Sequence, residues 1–159
     1  MGIYTSRFSN PELRKGCYTV VRVSLGTPKW DLGYRIDGEL KDLMPFGLLG
    51  KYDNDMEGFR REYYARLDRV GVTRILQQIQ RFGPSDHDIV LVCYEDIRKP
   101  ENWCHRTMFA EWWRERTGEV IEELTDPSKG AAPKTSKSSS KPDTEQGIQS
   151  PPPEQLSFI

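Results

Sequence analysis

The stretch DIVLVCYEDIRKPENWCHRTMFAEWW, Asp88 to Trp113, decides the fold. Its first part, Ile89 to Cys93, is an unbroken apolar run of strand length, which suits a strand buried on both faces. A charged loop follows. Asn102 then stands where a helix N-cap is favoured, and Met108, Phe109, Trp112 and Trp113 recur at helical spacing. The pattern predicts a helix from Asn102 to Arg116, closed by Gly118 just past its end. A buried strand, a loop and a helix in this order are the unit from which parallel sheets are assembled.

The flanking sequence supplies more such units. Ile3 to Arg7 reads as a short strand, and Asn10-Pro11 marks a turn from which Pro11 to Leu13 opens a short helix. Cys17 to Leu25 is rich in β-branched residues and reads as a strand ending at Gly26-Thr27-Pro28. Lys29 to Asp55 is rich in glycine and irregular, a long loop with helical character around Leu40 to Met44. Asn54 and Glu57 have capping-box spacing, so a helix is expected to start there with Phe59, Tyr63 and Leu67 inward. Gly71 interrupts it. A second helix spans Thr73 to Phe82, with Ile75, Leu76, Ile79 and Phe82 inward, and stops at Gly83-Pro84. Glu119 to Leu124 is a last short strand. The expected fold is α/β, a three-layer sandwich around a small, largely parallel sheet, in one domain over residues 1–124.

From Thr125 the composition changes to Pro, Ser, Lys, Thr and Gln, too poor in apolar residues to offset the entropy of ordering. Residues 125–159 are therefore expected to be a disordered tail. Formal net charge is -1, which excludes a global basic signature for nucleic acid but leaves local clusters open. No apolar run is long enough to span a bilayer and no signal-peptide core is present, so the expectation is a cytoplasmic protein without membrane contact. Three cysteines, Cys17, Cys93 and Cys104, in such a chain argue against structural disulfides. There is no Gly-rich phosphate loop, paired CxxC or His-Glu metal helix. Cys104 and His105 are sequence neighbours and His87 lies in a turn, so zinc is not expected, nor any cofactor.

In open parallel sheets ligands bind beyond the carboxyl ends of the strands. Those ends carry Ser6-Arg7, Ser24 to Pro28, and Cys93-Tyr94-Glu95, and the Cys104-His105-Arg106 helix start lies just downstream. With Asn102 as N-cap, Cys104 sits near unpaired backbone N–H groups, which lower a thiol pKa, more so beside Arg106 or a protonated His105. At about 100° per residue His105 falls under the middle of the apolar stripe, with Cys104 and Arg106 on its flanks. His105 therefore points inward, and Arg106 can hold a carboxylate or phosphate bidentately. The alternative reading is packing: a first-turn Cys as a small apolar residue and a satisfied core histidine. Cys93 is structural unless it faces Cys104. Glu95 is either a proton acceptor that orients His105 or pairs with Arg106, or a solvated surface acid. Arg7, Ser24 and Lys29 are candidates for anion binding. Arg60, Arg61, Arg66, Arg69, Arg74 and Arg81, with Tyr63 and Tyr64, form either a nucleic-acid contact or a solvated helix face diluted by Glu57, Glu62 and Asp68.

Leu91-Val92-Cys93-Tyr94-Glu95, a short loop, Cys104-His105-Arg106 and the apolar helix through Ala110-Glu111-Trp112 resemble the uncharacterised, mainly bacterial family catalogued as domain of unknown function 488. The start IYTSRFSN, the VVRVSLGTPKW segment, Leu43-Met44-Pro45 and the helix from Phe59 to Leu67 look like one subgroup of it. The resemblance implies an α/β fold with Cys93, Cys104, Glu95, His105 and Arg106 at one site. It carries over no activity.

The far C-terminus reads separately. After Pro151-Pro152-Pro153 come Gln155, Leu156, Ser157, Phe158 and Ile159, an apolar cluster on a solvated tether. QLSFI resembles the bacterial sliding-clamp-binding motif, with Phe158-Ile159 in place of Leu-Phe; Gln155, Leu156, Phe158 and Ile159 would make the contact. Two functions remain open. One is an enzyme acting on a nucleotide or nucleic acid through the Cys-His-Arg helix start, with Cys104 as nucleophile or redox thiol, Arg106 as anion binder, and Glu95 or His105 as acid/base. The other is a non-catalytic binding module tethered by its tail to the sliding clamp of the DNA-processing machinery.

Overall fold

A computed structural model describes residues 2–83, 86–99 and 101–128. The tail motif Gln155 to Ile159 lies outside the described residues. Five strands form an all-parallel sheet: β1 Ile3–Arg7, β2 Tyr18–Arg22, β3 Gly38–Glu39, β4 Asp88–Cys93 and β5 Glu122–Glu123, in the order β3-β2-β4-β1-β5. Three helices accompany them: α1 Met56–Val70, α2 Val72–Gln80 and α3 His105–Thr117. The α/β class and the parallel sheet are those the sequence pattern predicts. None of these helices is long and apolar enough to cross a membrane.

Strand β4 is central because it is apolar throughout. Ile89 to Cys93 are all buried, and the strand pairs with β1 on one side and β2 on the other. Successive side chains alternate between faces. Val90 and Val92 join Phe8, Leu13, Val20 and Leu124 in one cluster, against which Leu32, Tyr34 and Ile36 of the long loop pack. Ile89, Leu91 and Cys93 point to the opposite face, where α3 lies on β4 and β1. The register sets Arg7 beside Cys93 and Arg22 beside Val92, so the carboxyl ends of three strands form one edge.

The long loop from Lys29 is not featureless. It contains β3 and a 3-10 turn at Lys41–Leu43, close to the helical segment expected there. Strand β2 is shorter than the β-branched run suggested, and the last strand shrinks to Glu122–Glu123. Two helix starts shift. The cap of α1 is Asp55, not Asn54; its carboxylate accepts from Gly58 N at 2.9 Å. A Cβ at Gly58 would collide with Asp55 and Tyr52, so the tight cap requires glycine there. The cap of α3 is Cys104 rather than Asn102, whose side chain donates to Asp96 O at 3.0 Å instead. Asn102 has a local backbone acceptor in its own loop, and that competes with capping.

The described residues fall into two compact units, 2–83, 86–94 and 104–127 in one, and 95–99, 101–103 and 128 in the other. In the second, Arg98 pairs with Asp96 at 2.9 Å and donates to Ser128 O at 2.7 Å. The sheet, the three helices and the cysteines all belong to the first unit.

Candidate functional site

The first unit brings together Cys93 at the end of β4 and the start of α3. Cys93, Cys104, His105 and Arg106 are 3%, 2%, 5% and 1% exposed, so four chemically capable side chains lie in the interior. Cys104 caps α3 with no side-chain hydrogen bond to the helix, while its carbonyl accepts from Thr107 N and from Thr107 Oγ1. His105 is the first helical residue and Arg106 the second. The inward direction read from the apolar stripe is observed for His105, and Met108, Phe109, Trp112 and Trp113 are all buried with it.

His105 is oriented from two sides. Its Nε2 lies 2.7 Å from Val23 O, just past β2. A carbonyl only accepts, so Nε2 carries the hydrogen and Nδ1 of the neutral ring is left as an acceptor. The Cys93 and Cys104 sulfurs lie 3.8 and 3.9 Å from Nδ1. Tyr63 of α1 stands edge-on to the ring at 5.7 Å, its hydroxyl donating to Leu43 O at 2.6 Å. Burial raises the Tyr63 phenol well above its usual value, so it stays neutral beside the thiols.

Arg106 lies on the other flank. Its Nε and Nη2 donate to the Glu123 carboxylate at 3.2 and 2.7 Å, and Thr5 Oγ1 donates to the same carboxylate at 2.6 Å. This is the bidentate grip that the sequence reading allowed for Arg106, here on a carboxylate of β5. Its Nη1 is buried without a hydrogen-bond partner among the described residues. Burial works against the guanidinium charge, but Cys104, Glu123 and Cys93 outweigh it and hold Arg106 protonated. Burial likewise pushes the Cys104 thiol up. The hydrogen bond with Cys93, the Arg106 charge and the His105 contact overcome that, and Cys104 titrates well below an ordinary cysteine.

Cys93, Cys104 and His105 are the one group among the described residues whose donor atoms, all within 4.8 Å of one another, suit a metal ion. They are three donors where a closed structural zinc site has four, and Nε2 is already hydrogen-bonded to Val23 O at 2.7 Å, so Nδ1 is the ring nitrogen left to the two sulfurs at 3.8 and 3.9 Å.

The other sequence candidates are distributed around the edge. Arg7 Nε pairs with Asp126 at 2.6 Å. Ser24 is buried, with its hydroxyl donating to Gly26 O at 2.6 Å, and Arg22 Nη1 donates to the carbonyls of Ser24 and Leu25. That turn presents carbonyl oxygens inward. Lys29 is exposed. Glu95 belongs to the second unit.

Sequence reasoning missed Glu123, Thr5 and the Val23 carbonyl. The acid pair in VIEEL was a weak signal for Glu123, but a backbone oxygen leaves no mark in side-chain chemistry. Tyr63 was read as core and as a candidate nucleic-acid contact, not as a neighbour of His105. Comparison with family models, with curated proteins and with solved structures returns no match to this chain.

Proposed function

We propose that this protein is an enzyme acting on an anionic substrate, a nucleotide or nucleic acid, through Cys104 with His105 as its proton partner. The observation that carries the reading is the meeting of two thiols, an imidazole nitrogen of fixed tautomer and a buried guanidinium at one point. The resemblance to the uncharacterised family belongs to the same reading, since four of its five signature residues form this cluster.

The chemistry follows from the arrangement. Cys104 gives its proton to His105 Nδ1, and the thiolate attacks an electrophilic centre on the substrate, forming a bond from sulfur. The leaving group departs with its electron pair and takes the proton from Nδ1. Water then attacks the adduct and restores the thiol. Arg106 Nη1 receives the substrate's anionic group, while Glu123 fixes the guanidinium from the far edge. The thiols are 3% and 2% exposed, so the substrate enters through local opening of the covering chain.

The test is alkylation by iodoacetamide in a Cys17→Ser background, with the modified residue located by peptide mass mapping. Cys104 is expected to react along a titration curve centred below the free-cysteine value of about 8.5, shifted upward in His105→Asn. A curve centred at or above about 8.5 would overturn the thiolate reading.

A further inference from the structure

The arginines on α1 and α2 are not one face. Arg60 turns toward Glu57 and Glu111, at 3.9 and 3.7 Å. Four others converge elsewhere. Two adjoining hollows of about 720 and 360 Å³ share Lys41, Asp42, Val70 and Arg74. Together their walls carry the cations Lys41, Arg66, Arg69, Arg74 and Arg81 against one carboxylate, Asp42. On a chain of net charge -1 this is a local excess of positive charge.

Its charges are weakly committed. Arg69 and Arg81 form no ion pair among the described residues. Lys41 lies 3.7 Å from Glu39 and Arg74 lies 3.8 Å from Asp42, with both cations more than two-thirds exposed. Such pairs contribute little and exchange readily for phosphate. Asp42 is engaged by Gln78, whose amide donates to it at 2.6 Å. Arg66 is held in place by Glu62 and by the carbonyl of Phe46.

Phe46 supplies the second feature. Its ring is 51% exposed and lines the same hollow. A cationic trough with an exposed aromatic wall matches a polymer with a phosphate at each residue and an unpaired base free to stack. We infer that this trough binds the backbone of single-stranded nucleic acid, with a base resting on Phe46. Duplexes keep their bases stacked inside and would leave Phe46 unused. This site deepens the substrate class proposed above without depending on the thiol chemistry. It lies one helical turn along α1 from Tyr63, the residue that touches His105.

The experiment is a salt series of fluorescence-anisotropy titrations on the full chain, with labelled oligo(dT) and oligo(U), and heparin as a polyanion without bases. Binding to at least one oligonucleotide should weaken linearly in log salt. Arg69→Ala and Arg81→Ala should each reduce the slope by about 0.7, and Phe46→Ala should weaken binding about tenfold. The dT and U arms decide whether DNA or RNA is preferred. Arg60→Ala, whose guanidinium faces Glu57 and Glu111 and lines neither hollow, should bind as the parent does, and because binding is read without turnover, failure of the catalytic reading leaves this result intact. No binding at low salt overturns the inference. So does binding that the Arg69, Arg81 and Phe46 variants leave unchanged, or heparin binding as tight as oligonucleotide with Phe46→Ala silent.

Discussion

The two ends of α3 are built on opposite principles. At its C-terminal end both buried indole donors are matched. Trp112 Nε1 donates to Asp68 at 2.9 Å, Trp113 Nε1 donates to Glu119 at 2.9 Å, and Arg116 lies over the Trp112 ring while gripping Asp68. Gly118 closes the helix in the left-handed conformation at φ 79°. At its N-terminal end two thiols, an imidazole and a guanidinium are buried together, Cys104 caps without a side-chain hydrogen bond to the helix, and Arg106 Nη1 lacks a hydrogen-bond partner among the described residues. Leaving such a group unsatisfied costs about 1–3 kcal/mol, or more for a charge. One helix thus has an end optimised for stability and an end where stability has been given up. That asymmetry supports function at the first turn, where two thiols, an imidazole and a guanidinium with one nitrogen unmatched are buried together.

The comparison breaks first, and most visibly, under substitution of the stable end. Trp112 is 0% exposed, and Trp112→Ala should cost about 3–5 kcal/mol in denaturant unfolding while leaving the thiol's alkylation profile in place where the protein is folded. Glu123→Ala comes next. It removes the carboxylate from a guanidinium whose side chain is 0% exposed. Breaking a fully buried pair costs about 3–5 kcal/mol; Glu123 is 30% exposed, and the expected cost falls to about 2–3 kcal/mol by urea unfolding. The double variant Arg106→Met with Glu123→Leu should recover most of that loss, since neither charge is then stranded. A Glu123→Ala protein as stable as the parent would show that Arg106 does not depend on that pair.

Much of this asymmetry was legible in the sequence, and the reasons are specific. The apolar run of β4 and the Met108 to Trp113 stripe each had a single sensible period, so strand, helix and the inward direction of His105 followed from spacing. The cap of α3 did not follow, because Asn102 is a good cap by residue type and only its bond to the Asp96 carbonyl shows it engaged elsewhere. The cluster itself depends on register: Cys93 meets Cys104 because β4 ends level with the first turn of α3, and no spacing rule states that. The basic trough was half legible. Six arginines on two helices were plain, but only the fold separates Arg60, facing Glu111, from those that line the hollow with Phe46.

The smallest change in stability tests the first turn directly. Cys104→Ser exchanges sulfur for oxygen at a buried cap, and serine is itself a favoured cap residue, so below the folded pKa of the thiol, where it is protonated in both states, the net effect should be under about 1 kcal/mol. What should change is the slope of stability with pH. The folded thiol of the parent titrates well below its ordinary value. Between the folded pKa and the unfolded value of about 8.5 the unfolded chain binds more protons, so stability must rise with pH across that window. The gain is complete above about 8.5 and disappears as pH falls through the folded pKa. In a Cys17→Ser background, urea midpoints measured over this range should slope upward, and Cys104→Ser should flatten them. Trp112→Ala should instead lower the midpoint at every pH with the slope kept. A slope that survives Cys104→Ser would mean that the thiol is not ionised by its neighbours, and the first turn of α3 would then be packing like the last.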